Sequence, residues 1–223
     1  MTVHDLLADL PDLPDPRELR ARCRAVALLD SILSAPYAPA HTFVTDWRPG
    51  VDLALMDNGS GDDYAVVFAP AGVFLHGFDH ESDATPWRAE QRAHWPGLLD
   101  GLPTSLAPYA QAPESQFEGF FDATACVWRE AAAPAWRCGP VEFADGESDG
   151  SDWPFGLLTG EGPEAYAAFA EHYYEREVDR EAVAAVLAGG AVGRGLVATL
   201  SSVARFEAVA EQARALGYTV LED

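Results

Sequence analysis

Lysine is missing altogether: all 14 basic side chains are arginine, set against 36 acids, for a formal net charge of −22 over 223 residues. That balance argues against direct contact with nucleic acid or an anionic membrane surface, both of which need a basic face. Cysteine is scarce, and Cys23, Cys126 and Cys138 are too few and too scattered for a disulfide framework or a zinc ribbon. No stretch approaches the roughly 18 apolar residues of a membrane span. The opening MTVHDLLADLPDLPDPREL shows neither the basic start nor the apolar run of a secretory signal, so a cytoplasmic location is expected. Signatures of catalysis are equally thin. No phosphate loop and no Gly-x-Ser-x-Gly elbow is expected, and Gly189, Gly190, Gly193 and Gly195 follow a helical pattern where a dinucleotide fingerprint must follow a strand. No catalytic residue and no cofactor is therefore expected.

What is present is a sizeable hydrophobic fraction, 48%, enough for a core without staples. The stretch from Val51 to Ser82 organises it. Runs of β-branched and aromatic residues are separated by Asn58, Gly59, Gly61, Pro70 and Gly72, which predicts strands over 51–57, 63–68 and 72–78 joined by tight turns. Strands are also expected over 42–47 and 124–129. A helix is predicted over 15–34, capped by Asp15 with Pro16 in its first turn and its arginines Arg17, Arg20 and Arg24 on the outer side. Leu98, Leu99, Leu102 and Leu106 are expected to cover one face of the sheet. Helices are then expected from Pro163, after a cap at Asp179, and from Val203 after a cap at Ser202, with a short strand over 218–221. The fold class is α+β: an antiparallel meander sheet covered by helices, with a helical C-terminal third. One domain over 1–223 is expected, with 151–223 as a helical subregion.

Several groups are candidates for chemistry. His76, Asp79, His80 and Glu81 combine imidazole and carboxylate, which suits zinc, manganese or iron, and period two would let His76 and His80 reach one ion while Asp79 points away. The competing reading is a strand end running into a polar turn. Asp145 to Gly150 matches the first half of a calcium loop, but its twelfth position is Gly156 where a glutamate is required. A turn centred on residue 132 would set Cys126 opposite Cys138 and Trp128 opposite Trp136, the tryptophans serving as core or as the rim of a groove. His4, His41, His94 and His172 stand singly and read as surface or core residues.

The run Asn58-Gly59-Ser60-Gly61-Asp62 with Tyr64, then Gly72-Val73-Phe74 and the ending Asp79-His80-Glu81, resembles the central hairpin of the SUKH superfamily. The match covers 51–82. That superfamily is an α+β fold of bacterial immunity proteins, often acidic, that bind and neutralise toxins, many of them nucleases. The resemblance implies a binding role, and abundant alanine with lysine absent implies a high-GC bacterial source. Two readings follow. In one, a non-enzymatic protein binds a basic protein partner through Asp57, Asp62, Asp63, Tyr64, Asp79, Glu81, Trp128 and Trp136. In the other, a metal-dependent hydrolase uses His76 and His80 as ligands, with Asp79 or Glu81 as base to an activated water.

Overall fold

The structure is a computed structural model and describes residues 2–8, 13–112, 115–160 and 162–222. One antiparallel sheet runs in sequence order: β1 (His41–Arg48), β2 (Val51–Asp57), β3 (Asp63–Ala69), β4 (Gly72–Phe78), β5 (Ala125–Glu130) and β6 (Arg137–Cys138). The five strands expected over 42–47, 51–57, 63–68, 72–78 and 124–129 are found, with ends within a residue of those read from the sequence. Turn chemistry explains this agreement. Gly50 and Gly59 adopt φ of 73° and 72°, a left-handed backbone that glycine takes at little cost. Only Pro70 and Ala71 separate β3 from β4, because Ala69 pairs directly with Gly72.

Helices supply the second layer. These are α1 (Val3–Ala8), α2 (Pro16–Leu33), α3 (Ala107–Ala110), α4 (Gly156–Thr159), α5 (Gly162–Tyr173), α6 (Arg180–Leu187), α7 (Arg194–Leu200) and α8 (Phe206–Ala215). α2 starts where its cap requires, since the Asp15 carboxylate accepts the N–H groups of Arg17 and Glu18. Arg20 is not on the outer side as expected, because it pairs with Asp52 on the sheet. α6 and α8 pack on α2. The last helix begins at Phe206 and not at Val203: the Ser201 hydroxyl, not Ser202, takes the N–H groups of Val203 and Ala204 and holds a turn there. Beyond it, 218–221 contributes a single parallel bridge, Val192 to Val220. No helix among the described residues is long and apolar enough to cross a membrane.

Cross-strand neighbours share a side of the sheet, so the register sorts the faces. One face carries Met56, Tyr64, Gly77 and Ala125 in a row, next to Ala54, Val66, Leu75 and Val127. α2 covers this face, with Asp30 reaching His41 at its edge. The other face carries Leu55, Ala65, His76 and Cys126 in a row. Its β4–β5 half is covered by the chain between β4 and β5: Phe121 lies edge-on to His76 with ring centroids 4.8 Å apart, and Leu98 and Leu106 are buried. Its β1–β2 half stays open, leaving Val44 and Leu55 41% and 37% exposed.

The β5–β6 hairpin is displaced by one residue from the expected register. Val127 pairs with Cys138, and Trp128 with Arg137. Cys126 and Cys138 therefore lie on opposite faces, and Trp136 turns its indole N–H to the Pro14 carbonyl at 3.0 Å.

Candidate functional site

At the border between the covered and open halves of the second face lies a groove of about 530 Å³. Its floor is strand: Leu55 and Asp57 from β2, Asp63 and Ala65 from β3, His76 from β4. Its wall comes from the chain after α3, through Phe117 and Asp122. Asp57 and Asp63 are direct cross-strand partners, a placement that sets two like charges side by side at a cost to the sheet. Asp122 adds a third carboxylate from a part of the sequence that period-two reasoning does not reach. Burial, and then the charges of Asp57, Asp122 and Asp62, push the Asp63 carboxyl up to about 7. Asp63 is nonetheless open to the groove along its side. Asp122 is also raised, by burial first, against the lowering effect of Arg92.

Two polar groups here lack partners. Both ring nitrogens of His76 and the Oδ1 of Asp122 are buried without a hydrogen bond. His76 is 4% exposed, held between Phe74 and Phe121, and burial pulls its pKa down to about 4, so the ring is neutral at pH 7. An unmade bond at such a group costs about 1–3 kcal/mol. The rim is aromatic. Trp87 and Phe117, 48% and 58% exposed, stand with centroids 6.1 Å apart. The Arg92 guanidinium covers the Trp87 ring at 4.5 Å and reaches Asp122 Oδ2 at 3.5 Å.

The remaining sequence candidates sit at the same end of the sheet but serve other ends. Asp62 accepts from Asn58 Nδ2, His80 N, His80 Nδ1 and Trp153 Nε1 at 2.8, 3.2, 2.7 and 3.2 Å. Burial alone would raise its pKa, yet the bonds from His80 and Asn58 lower it overall, and the same contact with Asp62 raises His80. The Asp79 carboxylate accepts from the Glu81 N–H at 2.9 Å and closes a turn, leaving the Glu81 side chain exposed. The pairing of His76 with His80 is not found. β4 ends at Phe78, so period two lapses before His80, which turns to Asp62 while His76 stays on the strand floor. Among the described residues, the potential ligands that gather within 4.8 Å of one another are Asp62, Asp79 and His80, without His76 or Glu81. The hydrolase reading thus loses the ligand pair it was built on.

Tyr64, Trp128 and Trp136 are 2%, 3% and 9% exposed and belong to the core, not to a rim. The aromatic rim exists, but Trp87 and Phe117 supply it. In the loop compared with a calcium site, Asp149 is buried, with Oδ2 accepting from Val3 N and Oδ1 from Ser151 N. Contrary to the expectation of no such motif, Gly146-Glu147-Ser148-Asp149-Gly150 spells Gly-x-Ser-x-Gly within the loop compared with a calcium site. It lies in a loop with no strand immediately before it and no helix immediately after it, where a nucleophile elbow needs both. Gly160, Gly162 and Ala165 have the spacing of a dinucleotide fingerprint but follow α4, where a strand is needed.

His41 is not solitary. Its Nδ1 and backbone N–H donate to Asp30 Oδ2 at 2.7 and 2.8 Å, and Tyr166 Oη donates to Oδ1 at 2.6 Å. This buried network locks α2 and α5 to the sheet edge, and only the folded topology brings its members together. No family model, curated protein or solved structure matches the chain.

Proposed function

We propose that this chain is a non-enzymatic binding protein whose acid-lined groove receives a basic protein, as an immunity protein neutralising a basic toxin would. The observation that carries this reading is the half-open sheet face. Three carboxylates, Asp57, Asp63 and Asp122, line a groove whose edge exposes Val44, Leu55, Trp87 and Phe117. Exposed apolar area beside a cluster of carboxylates is a surface suited to a basic protein. The net charge of −22 extends the same field over the whole molecule and steers a cationic partner toward it.

Association kinetics with a partner recovered from the source cell test this. The association rate is expected to fall as salt rises, because the Debye length shrinks from about 30 Å at 0.01 M to about 8 Å at 0.15 M. Asp57→Asn with Asp63→Asn should slow association further. Asp62 is a poor choice for this test, since its four hydrogen bonds tie the β2–β3 turn to His80 beyond β4 and to Trp153. An acidic partner, or a rate indifferent to salt, would remove the support for this function.

A further inference from the structure

We propose that the floor of the groove is a socket for one arginine side chain of the basic partner, its guanidinium donating to Asp63, Asp122 and His76. This rests on the binding function above and names the residue that the partner inserts.

The acceptors come from three different elements. Asp63 stands on β3, His76 on β4, and Asp122 on the chain that returns to β5. The buried Oδ1 of Asp122 and both nitrogens of His76 have no partner within the chain, and a neutral imidazole offers a lone pair without repelling a cation. A donor arriving from outside would satisfy Asp122 Oδ1 and the one His76 nitrogen that carries the lone pair. A lysine ammonium bonds acceptors that surround one nitrogen, which places them within roughly 4.7 Å of one another. Among the described residues only Asp62, Asp79 and His80 meet such a limit, at 4.8 Å, so the groove acceptors are spread too widely for one nitrogen or one metal ion. A guanidinium distributes five N–H donors around a plane and fits acceptors on separate walls.

The rim already holds a guanidinium in this way. Arg92 lies over Trp87 at 4.5 Å and over Phe120 at 5.3 Å while it faces Asp122 Oδ2 at 3.5 Å. It occupies the outer oxygen of Asp122 and leaves Oδ1 unpartnered. The exposed ring of Phe117 gives an entering side chain a second aromatic surface.

The test titrates the full chain with hexa-arginine and with hexa-lysine by calorimetry, using native protein, Asp122→Asn and His76→Phe. Circular dichroism confirms that each variant is folded. His76→Phe keeps a ring of similar size between Phe74 and Phe121 and is chosen because it preserves the packing. Native protein is expected to prefer hexa-arginine by about tenfold, and both variants to lose most of that preference while still binding hexa-lysine. Equal binding of the two peptides, or a preference unchanged in both variants, overturns the arginine socket but leaves the general affinity of the groove for basic chains standing. Binding of neither peptide overturns the socket and the binding function together.

Discussion

His76 sits on β4 with both ring nitrogens unpartnered and aromatic rings on either side, a position that phenylalanine would fill at lower cost. His76→Phe is expected to stabilise the protein at pH 7 by about 1–3 kcal/mol, the cost of the unmade bonds. The variant should also change the acid profile. The ring's pKa is about 4 when folded against an ordinary 6.5, so on acidification between those values the unfolded chain takes up a proton that the folded one refuses. Stability is therefore lost as pH falls from about 6.5 toward about 4, by up to about 3 kcal/mol, and His76→Phe should not show that loss. Asp63 acts in the opposite sense, because its carboxyl is raised from 3.8 to about 7 and its contribution disappears as pH rises through that range. Urea unfolding of native, His76→Phe and Asp63→Asn proteins at several pH values separates the two. In the sequence, Asp57 and Asp63 were legible as strand-end acids and His76 as a strand histidine. That His76 lacks partners was not legible, because Phe121, which closes over it, is 45 residues away along the chain.

The turn between β3 and β4 has only two residues, Pro70 and Ala71. Gly72 has φ of 147°, and a Cβ there would overlap the Arg129 carbonyl of the adjacent β5. Gly72→Ala combines a strained backbone with a steric clash in a paired strand and should lower stability by about 2 kcal/mol or more. Denaturant unfolding reads this directly, and a change within about 0.5 kcal/mol, the range of an ordinary surface substitution, would refute it. Elements bounded by glycine, proline and asparagine are the ones that the sequence states openly, which is why β2 and β4 matched to the residue. The β5–β6 turn, Ala131 to Trp136, has no glycine or asparagine to fix its centre, and its register was misread by one. One residue suffices to move Cys138 to the other face. The groove wall was harder still: the chain from Asp79 to Thr124 is broken by tryptophan and proline, has no period of either kind, and gains its place by packing on the sheet and by distant hydrogen bonds such as His94 to the Phe121 carbonyl and Trp95 to the Glu142 carbonyl.

Over the whole molecule, 36 acids against 14 bases repel one another in the folded state more than in an expanded chain. Raising salt from 0.01 M to 0.15 M should therefore raise the melting temperature, by about 2 to 4 °C for each kcal/mol of repulsion screened. Thermal scans check it, and a melting temperature that falls or stays level would show that the folded state spaces its acids well enough to escape the penalty. The groove is also divided at this scale. Its floor belongs to the meander, whereas Trp87, Phe117 and Asp122 belong to the chain that leaves β4 and returns to β5, its hydrogen-bonded neighbour. Because the two ends of that chain are held together by the strands, doubling its length costs only about 0.6 kcal/mol of closure entropy. Its composition can drift, lengthen or be exchanged while the strand order stays as it is. The molecule thereby separates inheritance of a scaffold from revision of the groove wall, and a lineage can rewrite one without refolding the other.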